Sequence, residues 1–316
     1  MYKQLLAYPN VVGAGLGYKR TRGEYTGESA IVVLVERKMP LFTLSKQDMI
    51  PKEYNRITTD VIEVGKLVAQ PTGKHRPAPP GVSIGHYQIT AGTFGAVVKK
   101  DGEKFILSNN HVLSNSNNAE IGDPILQPGA YDGGTMDDQI GVLHEFVPIE
   151  FGGAVPTCPV AGGVSTIANW LAEKTGSSHR LQAIKIQQNP NHVDCALARP
   201  LNYELITDEI LGIGHVSGVT GGALGMKVIK SGRTTGITTG MITILNATVT
   251  VNYGASGNAT FEDQILTGAM SAGGDSGSLL LKETTLEAVG LLFAGSEQVT
   301  IYNPIHYVME GLGVEF

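Results

Sequence analysis

The amino-acid sequence predicts a mainly β chain in two parts, a small α+β domain followed by a larger β domain. Three observations carry this. Glycine is frequent, 41 of 316 residues, and with many Val, Ile and Thr it argues for short strands and tight turns. A stretch holding Pro71, Pro77, Pro79 and Pro80 has the composition of a semi-rigid linker and is the best domain boundary in the chain. Ahead of it lies a compact run of strand and helix signals, and behind it a long series of strand-length runs separated by turns.

Composition narrows the function. With 42% hydrophobic and 16% charged residues the chain can bury a sizeable core. The net charge is −6 and no basic block occurs, so nucleic acid is not an expected partner. No run of about 18 apolar residues exists, so no membrane span is expected. The first residues, Met1 to Pro9, contain no long apolar signal-peptide core. Two cysteines, Cys158 and Cys195, read as ordinary reduced thiols, which fits a cytoplasmic chain. Cys195 neighbours Asp194, and strand alternation turns it to the opposite face as a core residue. Metal and redox roles are not expected, and no cofactor is implied.

The first domain is expected over residues 1–68. Residues 10–20 read as a glycine-rich strand and 30–36 as a second. Ser45–Ile50 reads as a short helix, with Ser45 as N-cap and Pro51 at its end. A third strand follows at 58–64, giving a β-β-α-β unit. The Gly-x-Gly pattern in the first strand is not read as a dinucleotide site, because turn residues follow it and not a helix. The unit carries no charged cluster suited to chemistry. Folding assistance, active-site cover or assembly are its expected roles. The linker spans 69–82.

The larger domain, 83–316, contains the stretch around which the chain is organised, Gly273-Gly274-Asp275-Ser276-Gly277-Ser278. A serine among glycines reads either as a surface turn or as a nucleophile. Glycines let the chain turn sharply and let a substrate carbonyl approach the main chain. The N–H groups of Gly274 and Ser276 could then converge on an oxyanion. Leu279-Leu280-Leu281 follows as a buried strand, and far upstream a hairpin over 92–108 delivers His111 to a strand end. Two Asp-led strands could complete a constellation, one at Asp138 and one at Asp194. Asp138 follows His111 closely, a short path for a barrel of hairpins. An excess segment at about 148–187 holds a helical pattern over 165–174, with the only tryptophan, Trp170, and a stop at Gly176. It reads as an insertion packed on the barrel by Trp170, or else as a flap or partner surface. A last helix is expected over 304–312.

Together, Gly274-Asp275-Ser276-Gly277, His111-Val112 and Asp194-Cys195-Ala196-Leu197, in the chain order His, Asp, Ser, resemble the three motifs of trypsin-like (chymotrypsin-fold) serine proteases. Lys230-Ser231-Gly232-Arg233-Thr234-Thr235-Gly236 resembles the bacterial branch, that of streptogrisin and α-lytic protease. The resemblance covers about 85–316. More weakly, the first eighty or so residues look like the leader of bacterial intracellular trypsin-like proteins. The resemblance implies a two-barrel chymotrypsin-like domain and an intracellular serine endopeptidase acting on a polypeptide through His111, Asp194 and Ser276, with Gly274 and Ser276 as the oxyanion hole. It favours Asp194 over Asp138 by its distance from the serine. It implies an activating ion pair between Lys230 and Asp275, and a substrate pocket at Met270, Phe293, Ala294 and Gly295. Met270 stands where an acidic base would select Lys or Arg, so small or medium apolar residues are expected before the scissile bond. A latent or non-catalytic scaffold is the alternative. Self-assembly through the first domain or the helical insertion is a further expectation.

Overall fold

In the computed structural model, residues 2–21, 24–64, 71–152, 159–179, 181 and 189–316 are described. Cys158, the start of the expected linker and residues 153–158, 180 and 182–188 of the expected insertion lie outside them. The chain divides into two compact units, Met1–Ala69 and Gln70–Phe316.

In the first unit β1 (Val11–Thr21) pairs antiparallel with β2 (Glu24–Val35), β2 pairs parallel with β4 (Ile57–Glu63), and the short β3 (Glu53–Tyr54) lies outside β4. Leu5, Ile31 and Val33 form its buried centre. The helix expected at Ser45–Ile50 is absent. The parallel crossover carries one 3-10 turn at Leu41–Thr43, and Ser45 closes a single turn by accepting the Asp48 N–H at 3.0 Å on its carbonyl. Pro51 follows at once, leaving too few residues to nucleate a helix.

The second unit is built on two seven-stranded sheets. The first holds β5 (Ser83–His86), β6 (Gly92–Thr93), β7 (Ala96–Lys100), β8 (Glu103–Ser108), β9 (Pro124–Leu126), β10 (Gln139–Phe146) and β11 (Ala196–Pro200), in the order β6-β5-β9-β10-β11-β8-β7. Its end strands β6 and β7 are joined by Phe94 and Gly95 alone, so the sheet must curl on itself. The second sheet holds β12 (Gly218–Val219), β13 (Lys227–Gly232), β14 (Gly236–Asn252), β15 (Asn258–Gly268), β16 (Leu279–Lys282), β17 (Glu287–Gly295) and β18 (Val299–Pro304). Strands β13 to β18 close into a barrel, because β18 pairs with both β15 and β17. The mainly β, two-barrel architecture therefore stands.

A one-turn helix α1 (Asn110–Leu113) follows β8, and α2 (Pro159–Lys174) occupies the insertion. The chain closes with α3 (Ile305–Leu312), which buries Ile305, Val308 and Leu312 and stops at Gly313, where φ is +63°. Those three residues join Val98, Phe105 and Leu107 of the first sheet and Leu279, Leu281 and Leu291 of the second in one core, so α3 seals the joint between the barrels. The insertion behaves differently. Trp170 is 56% exposed, and Val160, Val164, Ile167 and Leu171 are exposed with it. The tryptophan does not anchor α2 to the barrel: its stripe of apolar residues faces outward.

The barrels touch through backbone. A Cβ at Gly95 would meet the Gly277 carbonyl oxygen at 2.2 Å and the Leu107 carbonyl oxygen at 3.0 Å. Neither atom can give way without moving a strand. Replacing Gly95 with alanine is expected to lower unfolding free energy by about 1–3 kcal/mol, read by urea denaturation. An unchanged midpoint would show that the joint is looser than this packing requires.

Candidate active site

His111 is carried on α1, which the buried Val112 and Leu113 pin from below. The Asn110 side chain fixes the turn by donating to Asn117 Oδ1 at 2.7 Å and to the Val147 carbonyl at 2.8 Å. Strand β11 runs antiparallel to β8 with Ala196 opposite Ser108, so the residues just before β11 meet those just after β8. That register brings Asp194 to His111.

Asp194 is fully buried, and its Oδ2 lies 2.6 Å from His111 Nδ1. Its Oδ1 accepts the His111 backbone N–H at 3.2 Å. The backbone of Asp194 is held as well, its N–H by Asn303 Oδ1 at 2.9 Å and its carbonyl by Asn109 Nδ2 at 2.7 Å. An ionised carboxylate only accepts, so Nδ1 carries the ring proton and a neutral His111 presents the lone pair of Nε2. Cys195 points into the core on the other side, and burial, reinforced by the charge of Asp194, pushes its thiol well up.

Ser276 sits in a loop shaped by the side chain of the preceding Asp275. Asp275 Oδ1 accepts the N–H groups of Thr234 at 2.8 Å and Thr235 at 3.1 Å. Its Oδ2 accepts the Thr235 hydroxyl at 2.6 Å and the Ala272 N–H at 3.0 Å. Lys230 Nζ lies 3.2 Å from the same Oδ2, and both side chains are fully buried. Burial pulls the Lys230 pKa down, with Asp275 opposing the shift. Gly232 makes room for this cluster: a Cβ there would stand 2.5 Å from Asp275 Oδ1 and 2.9 Å from Lys230 Nζ.

Strand β6 grips the loop from the other barrel. Thr93 N–H donates to the Ser276 carbonyl at 2.7 Å and Thr93 Oγ1 to the Gly274 carbonyl at 3.0 Å. Gly92 lies between Val112 and Ser276, since a Cβ on it would reach Val112 Cγ2 at 2.4 Å and the Ser276 carbonyl at 3.0 Å. The serine loop and the histidine turn thus meet over one glycine. Gly274 and Gly277 have φ of +96° and +98°, which favour glycine. With both carbonyls turned to Thr93, the N–H groups of Gly274 and Ser276 make no protein hydrogen bond among the described residues. The Ser276 hydroxyl and the His111 ring are not hydrogen-bonded to each other.

A cavity of about 450 Å³ adjoins Ser276, lined also by Ser271, Ala272, Leu292, Ala294 and Gly295. Of the four residues expected at a substrate pocket, Ala294 and Gly295 line this cavity and Met270 and Phe293 do not. Met270 is buried in the second barrel, its sulfur 3.7 Å from the Tyr302 hydroxyl. Phe293 packs on Phe261 with ring centroids 4.7 Å apart. Counting six residues back from the serine lands one residue past Ser271, and strand alternation turns Phe293 into the core while its neighbours face the cavity. Glu297 stands exposed at the rim.

Asp138, the rival acid, is remote from His111 contacts. It caps the turn begun by Thr135 and pairs with Lys74 at 2.7 Å. That lysine and the Thr135 N–H hold its pKa down to about 2. Sequence reasoning did not find Tyr253, whose hydroxyl donates to Asp194 Oδ2 at 2.8 Å. Nor did it find the Arg233–Asp132 ion pair beneath Gly274, in which Arg233 Nε lies 2.7 Å from Asp132 Oδ2. Both depend on contacts between segments far apart in sequence. Among the described residues no group of His, Cys, Asp or Glu is arranged to hold a metal.

No family model matches the chain. Among solved structures it is similar to a glutamic acid specific serine protease (20% identity, TM-score 0.48, 75% of this chain and 98% of that one). It is similar to a Nocardiopsis protease (17% identity, TM-score 0.48, 75% and 98%) and to an alpha-lytic protease homologue (18% identity, TM-score 0.43, 75% and 97%). These are chymotrypsin-fold bacterial serine proteases; the roles of the residues must come from the site itself.

Replacing Lys230 with methionine would leave Asp275 as an uncompensated buried charge. The expected loss is about 3–5 kcal/mol of stability in urea unfolding, and equal stability would mean the four other donors suffice. Asp138 allows a test by pH. Its folded pKa is depressed, so its contribution is complete above the ordinary carboxylate range near 4 and disappears as pH falls through about 2. The stability difference between the chain and Asp138→Asn should shrink over that window in acid titrations of thermal unfolding. A constant difference would contradict the assignment.

Proposed function

We propose that the chain is a serine endopeptidase. The observation that carries the reading is the fully buried Asp194 carboxylate on His111 Nδ1, on a turn that shares Gly92 with the Ser276 loop. In this reading His111 Nε2 takes the proton from Ser276 as its oxygen adds to a peptide carbonyl. The oxyanion that forms is met by the free N–H groups of Gly274 and Ser276. The imidazolium is stabilised by Asp194 and returns its proton to the leaving amine, which departs as the acyl-enzyme forms. Water, deprotonated by the same ring, then adds to the ester, and the ring passes that proton to Ser276 Oγ as the bond to the acyl group breaks and the acid is released. Hydrogen bonds of this kind commonly tighten only when substrate closes the site.

The ion pair of Lys230 and Asp275 gives the oxyanion loop its shape without a newly cut amino terminus. Side chains before the scissile bond would enter the cavity walled by Ser271, Ala272, Leu292, Ala294 and Gly295. Those walls carry no buried charge, which suits uncharged residues of small or medium size. One observation favours a second reading: Ser276 and His111 are not hydrogen-bonded, as in a latent protein that waits for a partner or a substrate to complete the site.

Intact mass after exposure to a fluorophosphonate probe separates these. One adduct on the native chain, absent from Ser276→Ala, is expected. Peptide hydrolysis should fall by more than about a thousandfold in that variant. No adduct on a folded native chain would overturn the peptidase reading in favour of the latent one.

A further inference from the structure

Asp194 presents an unusual account of charge. Its carboxylate is fully buried, and among the described residues no lysine or arginine pairs with it. Three donors compensate it: the His111 backbone N–H, His111 Nδ1–H and the Tyr253 hydroxyl, the last two converging on Oδ2 at 2.6 and 2.8 Å. A buried carboxylate depends on such donors for its stability. One of the three comes from neither the histidine turn nor the serine loop.

Tyr253 stands at the tip of the hairpin formed by β14 and β15. Its position is set by backbone. Its N–H donates to the Gly257 carbonyl at 2.9 Å, and Asn252 Nδ2 bridges the strand ends to Asn258 Oδ1 at 2.9 Å. Gly152 and Asn258 exchange two backbone hydrogen bonds of 2.7 and 3.0 Å, lashing the tip to the segment that enters the helical insertion. The ring meets His111 edge-on, centroids 5.8 Å apart, and Phe151 at 5.4 Å. Phe261 lies behind it at 6.2 Å.

We propose that Tyr253 is a positioning residue for the His111–Asp194 pair, its hydroxyl fixing Oδ2 and sharing the carboxylate's charge with the imidazole. This rests on the peptidase reading given above. The hydroxyl is a donor at neutral pH: burial, and then the charge of Asp194, push it well above its usual range. The other titratable groups beside the pair do not compete. The Cys195 thiol is kept neutral by burial, and His192 pairs with Asp263 at 3.7 Å. Without the hydroxyl, Asp194 would lean harder on the imidazolium and would be freer to rotate away from Nδ1.

The test compares the native chain with Tyr253→Phe, which keeps the ring between Phe151 and Phe261. Two measurements are made, the His111 ring titration by NMR and the rate of fluorophosphonate labelling. A hydrogen bond to a charged group is worth about one pH unit or more. The titration midpoint of His111 is therefore expected to rise by about one unit in Tyr253→Phe, and labelling at neutral pH to slow about tenfold. Thermal unfolding confirms that the variant is folded. A midpoint that stays where it was would overturn the role of Tyr253. So would a shift seen only in Tyr253→Leu, which would assign the effect to the ring and not to the hydroxyl. A native chain that takes no label sinks the peptidase reading alone, since the titration still decides the tyrosine.

Discussion

Inside the larger unit, the carboxylate of Asp275 and the ammonium of Lys230 meet with both side chains fully buried. Each charge taken alone would be costly in that place, and together they bring a strong geometric demand. Four further donors converge on the same carboxylate, from the motif that contains Thr234 and Thr235 and from Ala272. The path of the chain between Ala272 and Ser278 meets that demand. That path turns the carbonyls of Gly274 and Ser276 toward Thr93 and leaves their N–H groups free. The loop shape follows from electrostatics inside the second barrel, and Gly232 is bare because any side chain there would intrude on the pair.

The other half of the site is held by a different kind of force. His111 and Asp194 are set by strand register: β8 and β11 are neighbours, and their ends bring the two residues together. Asparagines do the fine fixing, Asn109 and Asn303 on the backbone of Asp194 and Asn110 on the turn. Neutral donors suit this place, since a cation beside Asp194 would compete with the imidazolium. Between the halves stand Gly92 and Thr93, where the barrels approach so closely that the smallest residue is required.

Much of this was legible in the sequence. Most of the strand runs, the glycine clusters and the final helix are local signals, and the structure carries them where they were read. The Ser45–Ile50 pattern misled because its N-cap and its proline are real, yet the turn between them is too short to propagate. Trp170 misled because an apolar periodicity says which residues share a face and not what covers it. Met270 is placed at the cavity by its distance from the serine and Phe293 by the resemblance of its strand, and in each case an offset of one residue exchanges cavity for core. Tyr253 carried no local signal: a tyrosine at the tip of a hairpin looks like any other, and only the closure of the second barrel brings it over Asp194.

The ligands of Asp194 come from both barrels. His111 belongs to the first, while Tyr253 and Asn303 belong to the second. Thr93 of the first barrel reciprocates by holding the loop of the second. The two barrels are therefore not interchangeable modules. A chimera that joined either barrel to the counterpart of a distant relative would keep two intact cores, yet each half would arrive with donors and acceptors fitted to the partner it had lost.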